Sequence, residues 1–429
     1  MKSTAGVGDA RLPVAGMPDP AGRRRLTPRV WPMLAAAWLA TGCGEDAGAG
    51  PDADGVTDEL GDGAAETAEG DGGRDDAAEA DHDAGPGDAS LDDGGSPVRP
   101  CLVGYSEYSI VTYPNGYARH EEYLDRLASR GLNLVRTWVH GYSNWEHDQT
   151  DTCGGDWFET MPWRRSGPDG RYDLRDFNPE FFARLRAYVD HARSRNIWIE
   201  LTLFDSWGLK HIGDWSWNPW DDDYNANGVI AATGNCSVHR QFFDLANANL
   251  VAILRDYVQR VVREAAEFDN VIYEIMNEPL VCPEGDVVAA AVAWHEVVIG
   301  WIREVRPGAL IAVVEGPAGV LVPLDYEFIS PHYGAWGDDT GATWIPDVLG
   351  RLASSGKQVI LDDDGCYHRD AAGNRIRQFP ENQRSWSTTA VAGGASYNHL
   401  QDWLYCNFFD MPTDEMLDAL GAAVALCWE

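Results

Sequence analysis

From Cys101 to the end of the chain, eight short apolar runs alternate with stretches in which apolar residues recur every three to four positions. The runs are Leu102 to Ser109, Leu132 to Val139, Ile197 to Leu203, Val271 to Asn277, Ala309 to Glu315, Glu327 to His332, Gln358 to Asp363, and Ala395 to His399. Near-continuous apolar runs suit strands buried on both faces, and the amphipathic stretches between them suit helices packed outside. One such helix holds Phe181, Phe182, Leu185, Tyr188 and Val189, and opens on Asn178 and Pro179, a capping residue and a first-turn residue. Eight strand–helix units in about 330 residues predict an α/β fold, a (β/α)8 TIM barrel with long loops after strands 2 and 3. Those loops run from Gly141 to Phe177 and from Asp205 to Arg240, on the side where the strands' C-terminal ends open.

The first hundred residues do not share this pattern. Arg23, Arg24, Arg25 and Arg29 precede an apolar run from Val30 to Leu39, closed by Ala40-Thr41-Gly42-Cys43. A basic region, an apolar core too short to span a bilayer and small residues before a cysteine predict a lipoprotein signal over 1–43, with lipid on Cys43. Residues 44–97 are mostly Asp, Glu, Gly and Ala, so they bury too little to offset the entropy of ordering and read as a disordered linker. Residues 98–429 form the expected barrel domain. The linker carries about half of the net charge of −35, and the remaining domain is still acidic. That balance argues against nucleic acid as a partner and against any membrane contact beyond the lipid anchor. A monomer tethered to the outside of a bacterial envelope, or secreted, is expected.

An export compartment permits disulfides, and Cys101 with Cys427, Cys236 with Cys282, and Cys366 with Cys406 are candidate pairs. With Cys43 lipidated, the other seven cysteines leave at least one thiol free. No CxxC or clustered His–Cys spacing appears, so neither a metal nor a cofactor is expected. Asp223, Asn225, Asn227 and Gly228 fit half of a calcium loop, but the closing carboxylate is replaced by Gly234, which favours a plain turn.

The run Asn270 to Pro279, NVIYEIMNEP, ends a buried strand on an Asn-Glu pair, and Pro279 stops further pairing. Glu278 is thus placed by a rigid strand at the barrel's C-terminal rim, where chemistry sits in this architecture. Trp145, Trp157, Trp163, Trp207, Trp215, Trp217 and Trp220 lie in the two long loops. Indoles there either stack on the apolar faces of sugar rings or pack the loops as small cores, and a share of each is expected. The three aspartates Asp362, Asp363 and Asp364 cannot all ionise cheaply, so one needs a raised pKa or a cation such as Arg136. Alternation sends Asp362 and Asp364 to one face of the strand and Asp363 to the other.

From Cys101 to Glu429 the chain resembles the retaining (β/α)8 glycoside hydrolases of the clan containing the family 5 cellulases and β-mannanases. The likeness rests on Asn277-Glu278-Pro279, on Arg136 in NLVRTW, and on His332 and Tyr333 in ISPHYG. It implies that Glu278 is the general acid/base and that Asn277 bonds the sugar 2-hydroxyl. It implies that Arg136, His332 and Tyr333 set the nucleophile's charge state, and that Asn398 and His399 lie at the sugar subsite. In KQVILDDDG the nucleophile's place falls to Asp363 where the clan carries Glu, and Asp362 and Asp364 are the alternatives. Retaining hydrolysis needs carboxyls about 5–5.5 Å apart, so a side chain one methylene shorter tests the geometry. Asp205, in LTLFDSW, stands where family 5 members often carry His, and with Trp207 joins the expected substrate-binding set. The implied function is hydrolysis of a β-linked polysaccharide or oligosaccharide of mannan or glucan type by two carboxylates. The rival readings are a barrel that has lost catalysis and binds surface carbohydrate, and a metal-dependent hydrolase built on the aspartate cluster.

Overall fold

The computed structural model describes residues 100–107, 110–112, 114–139, 160–210, 218–232, 235–279, 282, 284–314, 324–333, 340–363, 368–369, 375–376, 380–400 and 411–428. The expected signal and linker, Trp145, Trp157, Trp215, Trp217, Asp364, and the pair Cys366 and Cys406 lie outside them.

The eight predicted strands all form: β1 Val103–Ser106, β2 Leu134–Trp138, β3 Trp198–Asp205, β4 Val271–Asn277, β5 Leu310–Val314, β6 Phe328–Ser330 continued by His332–Tyr333, β7 Gln358–Asp363 and β8 Ser396–Leu400. They pair in parallel in chain order, and β7 and β8 join to close the ring through β1. The protein is a (β/α)8 barrel. Among the described residues, eight helices of eight or more residues accompany the strands: α1 His120–Ala128, α2 Pro179–Ser194, α3 Asn235–Phe242, α4 Ala248–Ala265, α5 Gly285–Val305, α6 Thr340–Leu352, α7 Pro380–Ala392 and α8 Asp414–Val424. Helix α2 starts as its sequence predicts, with Asn178 Oδ1 accepting from the Glu180 N–H and Pro179 in the first turn. Asn247 and Thr413 cap α4 and α8 in the same way.

The barrel interior is layered by the two-residue period of its strands. Leu102, Leu134, Ile272, Ala312, Phe328 and Ile360 form an apolar plug. Two positions further along the strands stand Arg136, Glu274, Ser330 and Asp362, joined by Glu200 on β3, all buried. An apolar floor under a charged layer is what alternation delivers when an inward-facing row switches from aliphatic to ionic near the C-terminal rim.

Both long loops contain ordered structure. The first ends in an antiparallel hairpin, Trp163–Ser166 with Arg171–Phe177, and the second holds α3. Backbone hydrogen bonds between Tyr172 and the stretch Tyr224 to Ala226 tie the two loops together. Trp163 and Trp220 are buried edge-to-face with ring centroids 5.0 Å apart, and pack on Tyr257. These two indoles pack the loops and offer no stacking face to a ligand. The Asn225 side chain accepts from the N–H groups of Asn227 and Gly228, with Gly228 at φ +62°. That is the turn use of the Asp223–Gly228 stretch.

Disulfides join Cys101 to Cys427 and Cys236 to Cys282, as the sequence suggested. Among the described residues no cysteine is free, so the thiol expected to stay unpaired is not found there.

Candidate active site

The site is built on the rims of β2, β3, β4, β6 and β7. Arg136 points inward from β2 and is fully buried. Its Nε and Nη2 donate to both oxygens of Glu274 at 2.5 and 2.6 Å, the bidentate fork that guanidinium and carboxylate form best. Nη2 also donates to Asn277 Oδ1 at 2.8 Å and faces His332 Nε2 at 3.1 Å, so three acceptors share its two hydrogens. Asp362 Oδ2 lies 4.0 Å from Nε.

This arrangement fixes a histidine tautomer. A guanidinium only donates, so His332 Nε2 is an acceptor and the ring's proton sits on Nδ1. Nδ1 then donates to Glu278 Oε1, 3.3 Å away. His332 reaches this point because β6 breaks at Pro331, which has no N–H to pair. Past the break, His332 and Tyr333 pair only with Asp362 and Asp363 of β7. The Tyr333 and Asp363 side chains, like that of Trp207, lie outside the described residues.

Glu278 follows β4 directly and has φ +45°, a left-handed conformation that costs a glutamate roughly 1–3 kcal/mol. Its side chain is 22% exposed, whereas that of the neighbouring Glu274 is fully buried. One carboxyl reaches solvent at the barrel rim and the other faces the barrel axis. Asn277 Nδ2 donates to Asp205 Oδ1 at 3.0 Å, across the register that sets these residues side by side. Asp205 therefore acts on Asn277.

The charged layer has one guanidinium against three carboxyls. Burial pushes the Glu274 carboxyl up, but the charge and hydrogen bonds of Arg136, with the hydrogen bond from Thr202, outweigh it and hold this group below the ordinary carboxylate value. Glu200 is raised well above that value by burial and by Asp362 and Glu274; its nearest hydrogen bond comes from Ser330 at 3.0 Å. Asp362 is raised by burial against the pull of Arg136. The aspartate run thus carries both features expected of it, a raised pKa and Arg136 as the nearby cation. Glu274 and Glu200 are the residues that sequence reasoning passed over. The signal was available, since a charged residue in register with inward apolar positions of a buried strand requires a partner.

Asp362 is 1% exposed, with Oδ1 accepting from Asn398 Nδ2 at 2.9 Å. Asn398 Oδ1 in turn accepts from Ser106 at 2.7 Å. Asn398, expected at the sugar subsite, is instead engaged within the barrel, where it orients Asp362. His399 is 3% exposed and stands edge-on to Tyr105 with centroids 5.4 Å apart.

A partly exposed glutamate on an Asn-Glu-Pro strand end, in contact with an Arg–His pair on a (β/α)8 rim, has a match. The family model for cellulase (glycosyl hydrolase family 5) covers residues 91–362. The chain belongs to that family. Family 5 membership makes it a glycosidase. The matched stretch ends at Asp362, one position before Asp363. Among solved structures, the endo-1,4-β-mannanase of Rhizomucor miehei is similar with TM-score 0.54 at 15% identity, over 78% of this chain and 97% of that one. The endo-β-1,4-mannanase of Thermotoga petrophila gives 0.51 at 15% identity, over 76% of this chain and 77% of that one. A family 5 mannosidase of Rhizomucor miehei gives 0.51 at 14%, over 77% and 94%. These are likenesses of fold. No curated protein matches the chain.

Proposed function

We propose that this family 5 glycosidase cleaves a β-linked polysaccharide or oligosaccharide of mannan or glucan type, with Glu278 as general acid/base and Asp363 as nucleophile. The observation that carries the reading is Glu278 itself. It is the partly exposed carboxyl of the β4 rim, aligned by the His332 Nδ1–H, with its backbone in a strained conformation of the kind that concentrates at active sites. Glu278 gives its proton to the departing glycosidic oxygen while Asp363 attacks the anomeric carbon. Glu278 then takes a proton from the water that releases the sugar, with net retention. Asn277 keeps one Nδ2 hydrogen for the sugar 2-hydroxyl after donating the other to Asp205.

Support for Asp363 comes from its neighbour. Asp362 is 1% exposed, held inside the barrel by Asn398 and beside Arg136, while Asp363 is the next residue on the rim, in register with Tyr333 and His399. The mannanases among the structural neighbours and the cellulase family support a β-linked hexan as substrate, and the long catalytic-side loops support an endo mode. Cys43 as a lipid anchor and a monomeric barrel complete the reading, with Cys43→Ala expected to release the protein from the envelope.

Reducing-end release from β-mannan, β-glucan, xylan and galactan, by wild type and Glu278→Gln side by side, tests the proposal. Release by the wild type alone supports it and names the glycan. Binding without release by either protein favours the carbohydrate-binding barrel.

A further inference from the structure

Helix α3 is fastened around Glu278 at three points of different chemistry. Cys236, in its first turn, is bonded to Cys282, four positions beyond Glu278. Arg240 pairs with Glu284 and, at 2.9 Å, with Asp286 in the first turn of α5. His239 Nε2 and Ser206 Oγ are 2.8 Å apart and buried, and the Ser206 N–H donates to the Asn277 carbonyl at 3.0 Å. The helix's apolar face is seated independently of these bonds, with Phe242 packed on Phe204 and Trp294.

The three ties bracket Glu278 on both sides, at Asn277 before it and at Cys282, Glu284 and Asp286 after it. Strand pairing holds the chain up to Asn277 and no further. A glutamate keeps a left-handed backbone only where its surroundings over-determine it, and here the surroundings past the strand end are supplied by α3. We propose that α3 is the positioning element for the acid/base, with the Cys236–Cys282 bond as its principal tether. The proposal rests on the reading of Glu278 as the acid/base. A displaced acid fails to protonate a poor leaving group, whereas a good leaving group departs without it.

The test uses the full-length protein and the phenyl and 2,4-dinitrophenyl β-glycosides of mannobiose and cellobiose. For Cys236→Ser/Cys282→Ser, kcat/KM on the phenyl glycoside is expected to fall about 30-fold and on the dinitrophenyl glycoside by less than about threefold. Arg240→Ala, which leaves the disulfide intact, is expected to move the ratio the same way by about threefold. Cys101→Ser/Cys427→Ser, which cuts a disulfide away from α3, is expected to leave the ratio unchanged. Hydrogen exchange over Glu274–Val288 gives a readout independent of substrate, and should quicken in the first two variants but not in the third.

An equal loss on both glycosides, or unchanged exchange in the bracketed segment, overturns the proposal. Glu278→Gln separates the two levels. If it shows the leaving-group split and the α3 variants do not, the positioning role fails and the acid/base reading stands. If Glu278→Gln shows no split, the acid/base reading fails, and unchanged exchange then removes the positioning role as well.

Discussion

Glu278 and Glu274 lie four positions apart on one strand end and have been given different work by their surroundings. Glu274 is locked to Arg136 by two short bonds at zero exposure, so it is structural charge. Glu278 accepts from His332 and is 22% exposed, which suits the proton exchange proposed for it. The third interior carboxyl, Glu200, has the opposite sign of linkage to Glu274. Its folded-state pKa is raised, so the stability it contributes is full below the unfolded carboxylate pKa of about 4.3 and is lost as pH rises toward the folded value. Glu200→Gln fixes the neutral form and keeps the oxygen that accepts from Ser330. Urea unfolding of this variant is expected to lose a slope of up to about 1.4 kcal/mol per pH unit above pH 4.5 and to match or exceed wild-type stability at pH 8. A variant weaker than wild type at pH 8 would show that the ionised carboxylate is what the fold uses.

At the level of elements, strand order and helix phase were legible because the near-continuous apolar runs of strands buried on both faces contrast with the 3.6-residue period of the helices between them. The break in β6 was not, since Pro331 within ISPHYG reads as continuous strand until its missing N–H is weighed against the neighbours. Ordered structure in the long loops was also hidden, because the aromatic cluster of Trp163, Trp220, Tyr257 and Phe204 joins residues far apart in sequence. The interior roles of Glu200 and Asn398 depend on cross-strand register, which a single chain does not print. Register also creates a tight spot at Gly104 in β1. A Cβ there would meet the Leu134 carbonyl at 2.4 Å and Asn398 Oδ1 at 2.8 Å. Gly104→Ala is expected to destabilise by about 1–3 kcal/mol through overpacking and to disturb the Asn398 bond to Asp362, read by chemical denaturation. A change within about 0.5 kcal/mol, the range of an ordinary surface substitution, would mean that the β1–β2 seam yields without strain.

For the whole molecule, the ring closes twice, once by β1 pairing with β8 and once by the bond between Cys101 and Cys427. The two cysteines are 326 positions apart. Removing the bond as Cys101→Ser/Cys427→Ser is expected to cost about 2–5 kcal/mol in unfolding free energy without moving the pH profile of hydrolysis. A shifted profile would mean that the lower face of the barrel communicates with the rim. At this scale the proposal is that Glu278 serves as the acid/base of a double displacement on this barrel. It is tested most directly by Glu278→Ala acting on a 2,4-dinitrophenyl β-glycoside with and without azide. Without a base to activate water the glycosyl-enzyme accumulates, and azide, which needs no base, is expected to restore turnover and yield the β-glycosyl azide. An α-glycosyl azide, or no effect of azide on an inactive variant, would contradict the account.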